Sequence, residues 1–132
     1  MRSLPPPTPT GTPPGNLARE AEACELYGVF QVVSDATASG GSFVAVTDYG
    51  GVWGSPNEAH KVVCQFSVPD SGAYRIKGVV RAPSPAYGNN SCYVKMDGVP
   101  SAGYLWDTPE STRWVTDAVS DRNGADPVEV SL

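Results

Sequence analysis

The sequence predicts an all-β fold, a β-sandwich or jelly roll of antiparallel strands, from three observations. Short segments in which apolar and polar residues alternate recur along most of the chain. Charged residues make up only 17% of the 132 residues, whereas glycine (14) and proline (13) are abundant, which disfavours helices. Turn-forming pairs such as Asp97-Gly98 and Asn123-Gly124 separate the alternating segments. Short strands at this spacing are typical of a sandwich or jelly roll.

The beginning of the chain differs in composition from the remainder. Residues 4–15 read LPPPTPTGTPPG, and such prolines favour extended polyproline conformations. We therefore expect residues 1–15 to form a disordered linker rich in proline and threonine, and residues 16–132 to form one domain. A spacer of this kind joins folded units, so we expect neighbouring domains in a longer parent protein. Residues 1–3 lack the apolar stretch of a secretory signal, and export is therefore an inference from the modular composition.

Seven segments are predicted as strands because their apolar residues recur with period two. They are residues 43–46, 61–68, 74–81, 91–97, 103–106, 114–119 and 128–132. Residues 17–26 (LAREAEACEL) are the one stretch with helical composition, although Glu20, Glu22, Cys24 and Leu26 also form a period-two set. Local propensity alone would make this stretch a helix.

The three cysteines, Cys24, Cys64 and Cys92, lie far apart and lack the paired spacing of a zinc site. Cys64 and Cys92 each alternate with apolar residues, so we expect both to be small core residues. One disulfide among the three remains open in an oxidising compartment, but the sequence does not identify the pair.

The charge of the chain limits its partners. The formal net charge is −5 and no cluster of lysine and arginine occurs, so nucleic acid is not an expected partner. No run approaches the roughly 20 apolar residues of a membrane span, and none is expected.

Five motifs follow one another along the chain, namely EAE (20–22), ASGGSFV (38–44), VPDSGAYRIKGVVRAPS (68–84), YVKMDGVPSAGYLWD (93–107) and STRWVTDAV (111–119). In this order they resemble the motifs of carbohydrate-binding modules of families 6 and 35. The resemblance spans nearly all of the chain after the linker. It implies a galactose-binding-like jelly roll in which EAE lies in the first strand, contrary to the helical interpretation. Members of these families continue beyond the position of residues 128–132 with a further hairpin, so the module is expected to lack its last strands.

The resemblance also implies a structural calcium ion. Glu20 and Glu22 correspond to the two glutamates that help to hold this ion, together with backbone carbonyls of the following loop and an aspartate near the end of the domain. Calcium takes six to eight oxygen ligands and accepts carboxylates readily, which suits two glutamates separated by one residue. The alternative is a pair of solvated glutamates.

For sugar binding, the resemblance implies that Trp114 is one side of an aromatic clamp at the loop end. The tyrosine of the opposite side corresponds to Val46, so Tyr49 and Trp53, in the next loop, are candidates to replace it. Sugars present apolar faces bounded by hydroxyls, so a site combines an aromatic platform with hydrogen-bonding side chains. A role for Trp114 in the core is the alternative, and it stays open.

Asn89 and Asn90 form a polar loop that is a candidate for hydrogen bonds to sugar hydroxyls, although Gly-Asn-Asn is equally an ordinary turn. Trp106 is expected to be structural. Asp48, Asp107 and Asp117 are expected to be solvated at the surface, and hydrogen bonds to sugar hydroxyls or binding of a second calcium ion are the alternatives.

No enzymatic activity is expected. The single histidine, His60, stands beside a predicted strand without a serine and aspartate pattern, and we expect it at an exposed strand end. The resemblance places no pair of carboxylates across a cleft, as a glycosidase would need.

The function indicated is a non-catalytic carbohydrate-binding module that targets a larger secreted or cell-surface protein, such as a glycoside hydrolase, to a polysaccharide. An extracellular or cell-surface location and a monomeric state are expected with it. The alternative is an architectural or adhesive β-sandwich module of a surface protein that binds no sugar.

Overall fold

The computed structural model describes residues 17–46, 54–83 and 90–132, and within them the all-β prediction is confirmed. Among the described residues, every strand pair is antiparallel, and helical structure is confined to two single 3-10 turns, Ala21–Ala23 and Ser39–Gly41. The strands are β1 (Glu25–Tyr27), β2 (Phe30–Ser34), β3 (Ser42–Val46), β4 (Lys61–Val63), β5 (Ala73–Tyr74), β6 (Lys77–Ala82), β7 (Ser91–Met96), β8 (Val99–Asp107), β9 (Ser111–Ala118) and β10 (Val130–Ser131). None of the helical turns in these ranges is long enough to cross a membrane.

The chain divides into two compact units. The first unit includes the described residues 17–46 and 57–71, and the second includes residues 54–56, 72–83 and 90–132.

The part of the first unit that the structure describes contains two ladders of two strands each. β2 pairs with β3 over five residue pairs, from Phe30 opposite Val46 to Ser34 opposite Ser42. β1 pairs with β4 over three residue pairs, and Glu25 lies opposite Val63 at the end of this ladder. The next pair along is Cys24 and Cys64, which form a disulfide with a Cα–Cα distance of 4.9 Å. The disulfide therefore extends a very short ladder by a covalent bond.

The described residues of the second unit form three ladders, which pair β6 with β9, β7 with β8, and β5 with β10. β7 and β8 are joined by the turn Asp97-Gly98, whose φ angles of 53° and 76° are both positive. Positive φ at both central residues defines the type I′ turn that matches the right-handed twist of a hairpin, and Asp-Gly is a favoured pair for it. The turn predicted from this dipeptide is confirmed.

The buried apolar residues of the second unit come from the middle and the end of the chain. They are Ala82, Trp106, Val119, Val128 and Val130. The segment that leads to β10 is held by backbone hydrogen bonds from Val128 N to Val119 O at 2.8 Å and from Leu132 N to Gly72 O at 3.0 Å. The last residues are thus part of the folded unit.

The predicted strands agree with the structure in position but less well in extent. The predicted strand 61–68 ends at Val63, and the predicted strand 74–81 is two strands with a break at residues 75–76. β1 and β2 were not predicted. The EAE motif does not lie in the first strand, because residues 21–23 form a 3-10 turn and β1 begins at Glu25. The preference for a non-α-helical structure over residues 17–26 was nevertheless correct.

Two expectations for single residues are also wrong. Cys64 is bonded to Cys24, and Cys92 is an exposed free cysteine, so neither is a small core residue. His60 is not an exposed strand end, because it is partly buried and its Nδ1 accepts a hydrogen bond from Val29 N at 3.1 Å. Gly28 lets the imidazole approach, since a Cβ at this position would lie 2.0 Å from Nδ1.

Candidate functional site

Trp114 lies in β9 and is partly exposed. β9 pairs with β6, with Thr116 opposite Val79 and Asp117 opposite Gly78. Because side chains on successive residues of a strand point to opposite faces, Trp114 and Thr116 share one face of this ladder, and Asp117 belongs to the other. Directly paired residues of an antiparallel ladder share a face, so Val79 lies on the face of Trp114.

The face that carries Trp114 is open to solvent in part. Val79 is 58% exposed although it is apolar, and Thr116 and Lys77 are also exposed. Together with Arg81, these side chains define what we call the Trp114 face, formed by Lys77, Val79, Arg81, Trp114 and Thr116. It combines an aromatic ring, an apolar patch, a hydroxyl group and cationic groups on one side of two paired strands.

Arg81 stands close to the tryptophan ring. Its guanidinium carbon lies 4.8 Å from the centroid of the Trp114 ring, a cation–π arrangement. The ladder contains a register irregularity at this point, between Val80 and Ala82. Such irregularities change the local twist and re-aim side chains, so the bulge is positioned to set the angle at which Arg81 meets the ring.

The opposite face of the same ladder is occupied by Trp106. Its indole Nε1 donates a hydrogen bond to Asp117 Oδ2 at 2.7 Å, and the residue is only 7% exposed. Gly78 makes room for the ring, because a Cβ there would lie 2.7 Å from Trp106 Cη2. Trp106 is therefore structural, as expected. Asp117 is not a solvated surface group, because its carboxylate accepts the hydrogen bond that the buried indole N–H of Trp106 donates.

Asp107 also has a structural partner rather than solvent alone. Arg122 Nε donates to Asp107 Oδ2 at 2.7 Å and Arg122 Nη2 donates to Oδ1 at 2.5 Å, which is the bidentate geometry of arginine with a carboxylate. These hydrogen bonds, and the charge of the guanidinium, hold the pKa of Asp107 below its ordinary value. Asp107 and Arg122 thus tie the end of β8 to the turn that follows β9.

The predicted loop candidates fall mostly outside the described residues. Tyr49, Trp53 and Asn89 are among them, so the structure does not test a clamp around Trp114. Asn90 is described, and its Nδ2 donates to Thr108 O at 3.1 Å. Its backbone oxygen accepts hydrogen bonds from Thr108 N at 2.6 Å and Thr108 Oγ1 at 2.9 Å. Asn90 therefore fastens the open end of the β7–β8 hairpin.

Glu20 precedes the first 3-10 turn, Glu22 is its middle residue, and both side chains reach the same stretch of chain. Glu20 Oε1 accepts a hydrogen bond from Ser39 Oγ at 2.5 Å, and Glu22 Oε2 accepts one from Ser42 Oγ at 3.1 Å. Ser39 begins the second 3-10 turn and Ser42 begins β3. In the described part of the chain, no group of three or more His, Cys, Asp or Glu side chains is arranged to hold a metal ion. Both carboxylates therefore contact residues 39–42, and among the described residues no third acidic side chain joins them.

The sequence identified Trp114 but not the residues around it. Val79, Arg81 and Thr116 were not candidates, although Lys77, Val79 and Arg81 belong to one period-two set whose two charged members indicate a solvent-exposed face. Comparison with known proteins gives no further residues. No protein-family model matches the chain, and no match was found among curated proteins or solved structures. The fold and the described site therefore define only a class, a small all-β protein with an aromatic residue on a partly open strand face.

Proposed function

We propose that this chain is a non-catalytic carbohydrate-binding module with Trp114 as its aromatic platform. The observation that carries the proposal is the position of Trp114 on a partly exposed strand face beside Val79 and Thr116. An aromatic ring next to apolar surface suits the C–H face of a sugar, and a hydroxyl and a guanidinium suit its hydroxyl groups. The alternative, an architectural module, would predict a buried Trp114.

The proposal includes the galactose-binding-like jelly roll that the motifs resemble and the role of targeting a larger secreted or cell-surface protein to a polysaccharide. Two features support it. The described strands are all antiparallel, as such a fold requires. The Cys24–Cys64 disulfide is of the kind that persists in oxidising compartments, which supports an extracellular or cell-surface location.

A calcium ion at Glu20 and Glu22 is part of the same proposal. The donor chemistry fits, since both carboxylates approach residues 39–42 and calcium takes carboxylates together with backbone carbonyls such as those of that segment. Such an ion would stabilise the first unit by holding the two 3-10 turns together. Calcium, but not magnesium at the same concentration, should raise the melting temperature, and the double variant Glu20→Gln, Glu22→Gln should abolish the increase.

Titration calorimetry of the purified protein against a panel of neutral and acidic oligosaccharides tests sugar binding. If a sugar covers roughly 60 Å² of the tryptophan, its apolar contact contributes about 1.5 kcal/mol, so Trp114→Ala should weaken binding about tenfold. The matched control is Phe66→Ala, which removes an aromatic side chain that is 44% exposed in the first unit and should leave the affinity unchanged.

Two results would count against the proposal. The first is a folded protein that binds no member of the panel, which would favour the architectural alternative. The second is binding that Trp114→Ala leaves intact, which would move the site away from the Trp114 face.

A further inference from the structure

Asn123 lies in an exposed turn and is followed by glycine. The turn spans residues 121–125 and is closed by hydrogen bonds from Asp121 N to Ala125 O at 2.8 Å and from Gly124 N to Asp121 O at 2.9 Å. Asn123 and Gly124 are both exposed. Among the described residues, no hydrogen bond engages the side-chain amide of Asn123, so its Cγ is free to turn toward the following backbone nitrogen.

The other described asparagines are held differently. Asn90 is partly buried, its Nδ2 is bonded to Thr108 O, and a serine follows it. The side-chain oxygen of Asn57 accepts a hydrogen bond from Ala59 N at 3.0 Å, and a glutamate follows it. Both side chains are therefore restrained, and both are followed by residues whose Cβ hinders attack by the next backbone nitrogen. Glycine has no Cβ and imposes no such hindrance.

We propose that Asn123 is a site of spontaneous deamidation and that this reaction opens the 121–125 turn. The backbone nitrogen of Gly124 loses its proton and attacks Cγ of Asn123, and the side-chain nitrogen leaves as ammonia. The product is a five-membered succinimide. Water then adds to either of its two carbonyl carbons and breaks the bond to the ring nitrogen, which gives aspartate or isoaspartate. The reaction consumes one water, releases one ammonia and needs no oxidant or cofactor.

The reaction has a structural consequence that follows from the same turn. In the succinimide, Gly124 N has no hydrogen, so its hydrogen bond to Asp121 O is lost. In isoaspartate the main chain is one carbon longer, so the turn no longer closes with its original geometry. Both hydrolysis products add a negative charge near Asp121. Arg122, which holds Asp107, lies within this turn, so the connection between the turn and the end of β8 is weakened.

The experiment is incubation of the intact protein at physiological temperature and mildly alkaline pH, followed by proteolysis and mass spectrometry. The peptide with Asn123 should gain the mass difference between a hydroxyl and an amino group and should become a substrate for isoaspartate methyltransferase. The peptides with Asn57 and Asn90, from the same digest, should stay unchanged and serve as internal controls. Asn123→Gln should prevent the modification.

The aged protein should melt lower by roughly 3–5 °C, the shift expected when a chain of this length loses about one net hydrogen bond, and aged Asn123→Gln should not. Absence of isoaspartate at Asn123, over a period in which a synthetic peptide of residues 120–126 accumulates it, would overturn the proposal. Equal modification of Asn57 or Asn90 would also overturn it, because hydrogen bonding of the asparagine side chain and the Cβ of the following residue would then not protect an asparagine from deamidation.

Discussion

The Cys24–Cys64 disulfide should contribute a large part of the stability of the first unit. The two cysteines are 40 residues apart in sequence, and the bond closes this loop in the unfolded chain. In the loop-entropy model the cross-link lowers the entropy of the unfolded state by about 13 cal/mol/K for a loop of this size, which is about 4 kcal/mol at room temperature. The ladder that the bond extends has only three residue pairs, so the cross-link reinforces a short set of backbone contacts between β1 and β4.

The measurement is urea and thermal unfolding of the wild type, with and without reductant, and of the double variant Cys24→Ala, Cys64→Ala. The reduced protein and the variant should both unfold with a free energy about 4 kcal/mol lower, which corresponds to a decrease in melting temperature on the order of 20 °C. Cys92→Ser is the matched control, because it removes an exposed cysteine that has no disulfide partner and should leave stability unchanged.

Unfolding that is identical in the wild type and the double variant would refute this reasoning. It would mean that the unfolded chain is already compact enough for loop closure to cost little. Equal loss of stability in Cys92→Ser would show that the effect belongs to thiol substitution in general and not to loop closure.

Two further predictions concern single contacts. Gly28→Ala should destabilise the first unit by roughly 2–3 kcal/mol in urea unfolding. The new Cβ would lie 2.0 Å from His60 Nδ1, and the backbone φ of +69° is unfavourable for alanine. A urea midpoint equal to that of the wild type would contradict this prediction. Asp107 has a lowered pKa in the folded state because it is paired with Arg122. The pair therefore stabilises the fold at pH values above the ordinary aspartate pKa of about 3.9, and this stabilisation is lost as the pH falls through the lower pKa of the folded state. Arg122→Gln should therefore reduce the decrease in stability between neutral and acidic pH, and identical acid titrations would contradict the assignment.

The sequence predicted strands well where most residues of one face are apolar and most of the other are polar. The segment that contains β6 follows this pattern, since Tyr74, Ile76 and Val80 alternate with Arg75, Lys77 and Arg81. β2 was missed because its apolar residues occupy both faces, so that FQVVS has no clear period of two. A strand without alternation resembles an apolar loop in a single sequence.

The extent of a strand depends on its partner, which the sequence does not identify. Alternation continues from Val62 through Phe66, but β4 ends at Val63 because β1 supplies only three residues to pair with it. Phe66 is consequently 44% exposed. The sequence did not identify the disulfide pair for the same reason. The pairing of Cys24 with Cys64 follows from the register of β1 and β4, which no local sequence pattern shows.

The position of Trp114 illustrates why a candidate site needs the structure even when its central residue is evident. Trp106 and Trp114 both lie in strands, and the alternation within β8 or β9 alone does not tell which ring is buried. Gly78 decides the outcome, because it leaves space for the ring of Trp106 on one face of the β6–β9 ladder, where Asp117 accepts its indole hydrogen. Trp114 stands three residues before Asp117, an odd separation, and is therefore directed to the opposite, more exposed face. The location of the proposed platform thus depends on a residue that has no side chain.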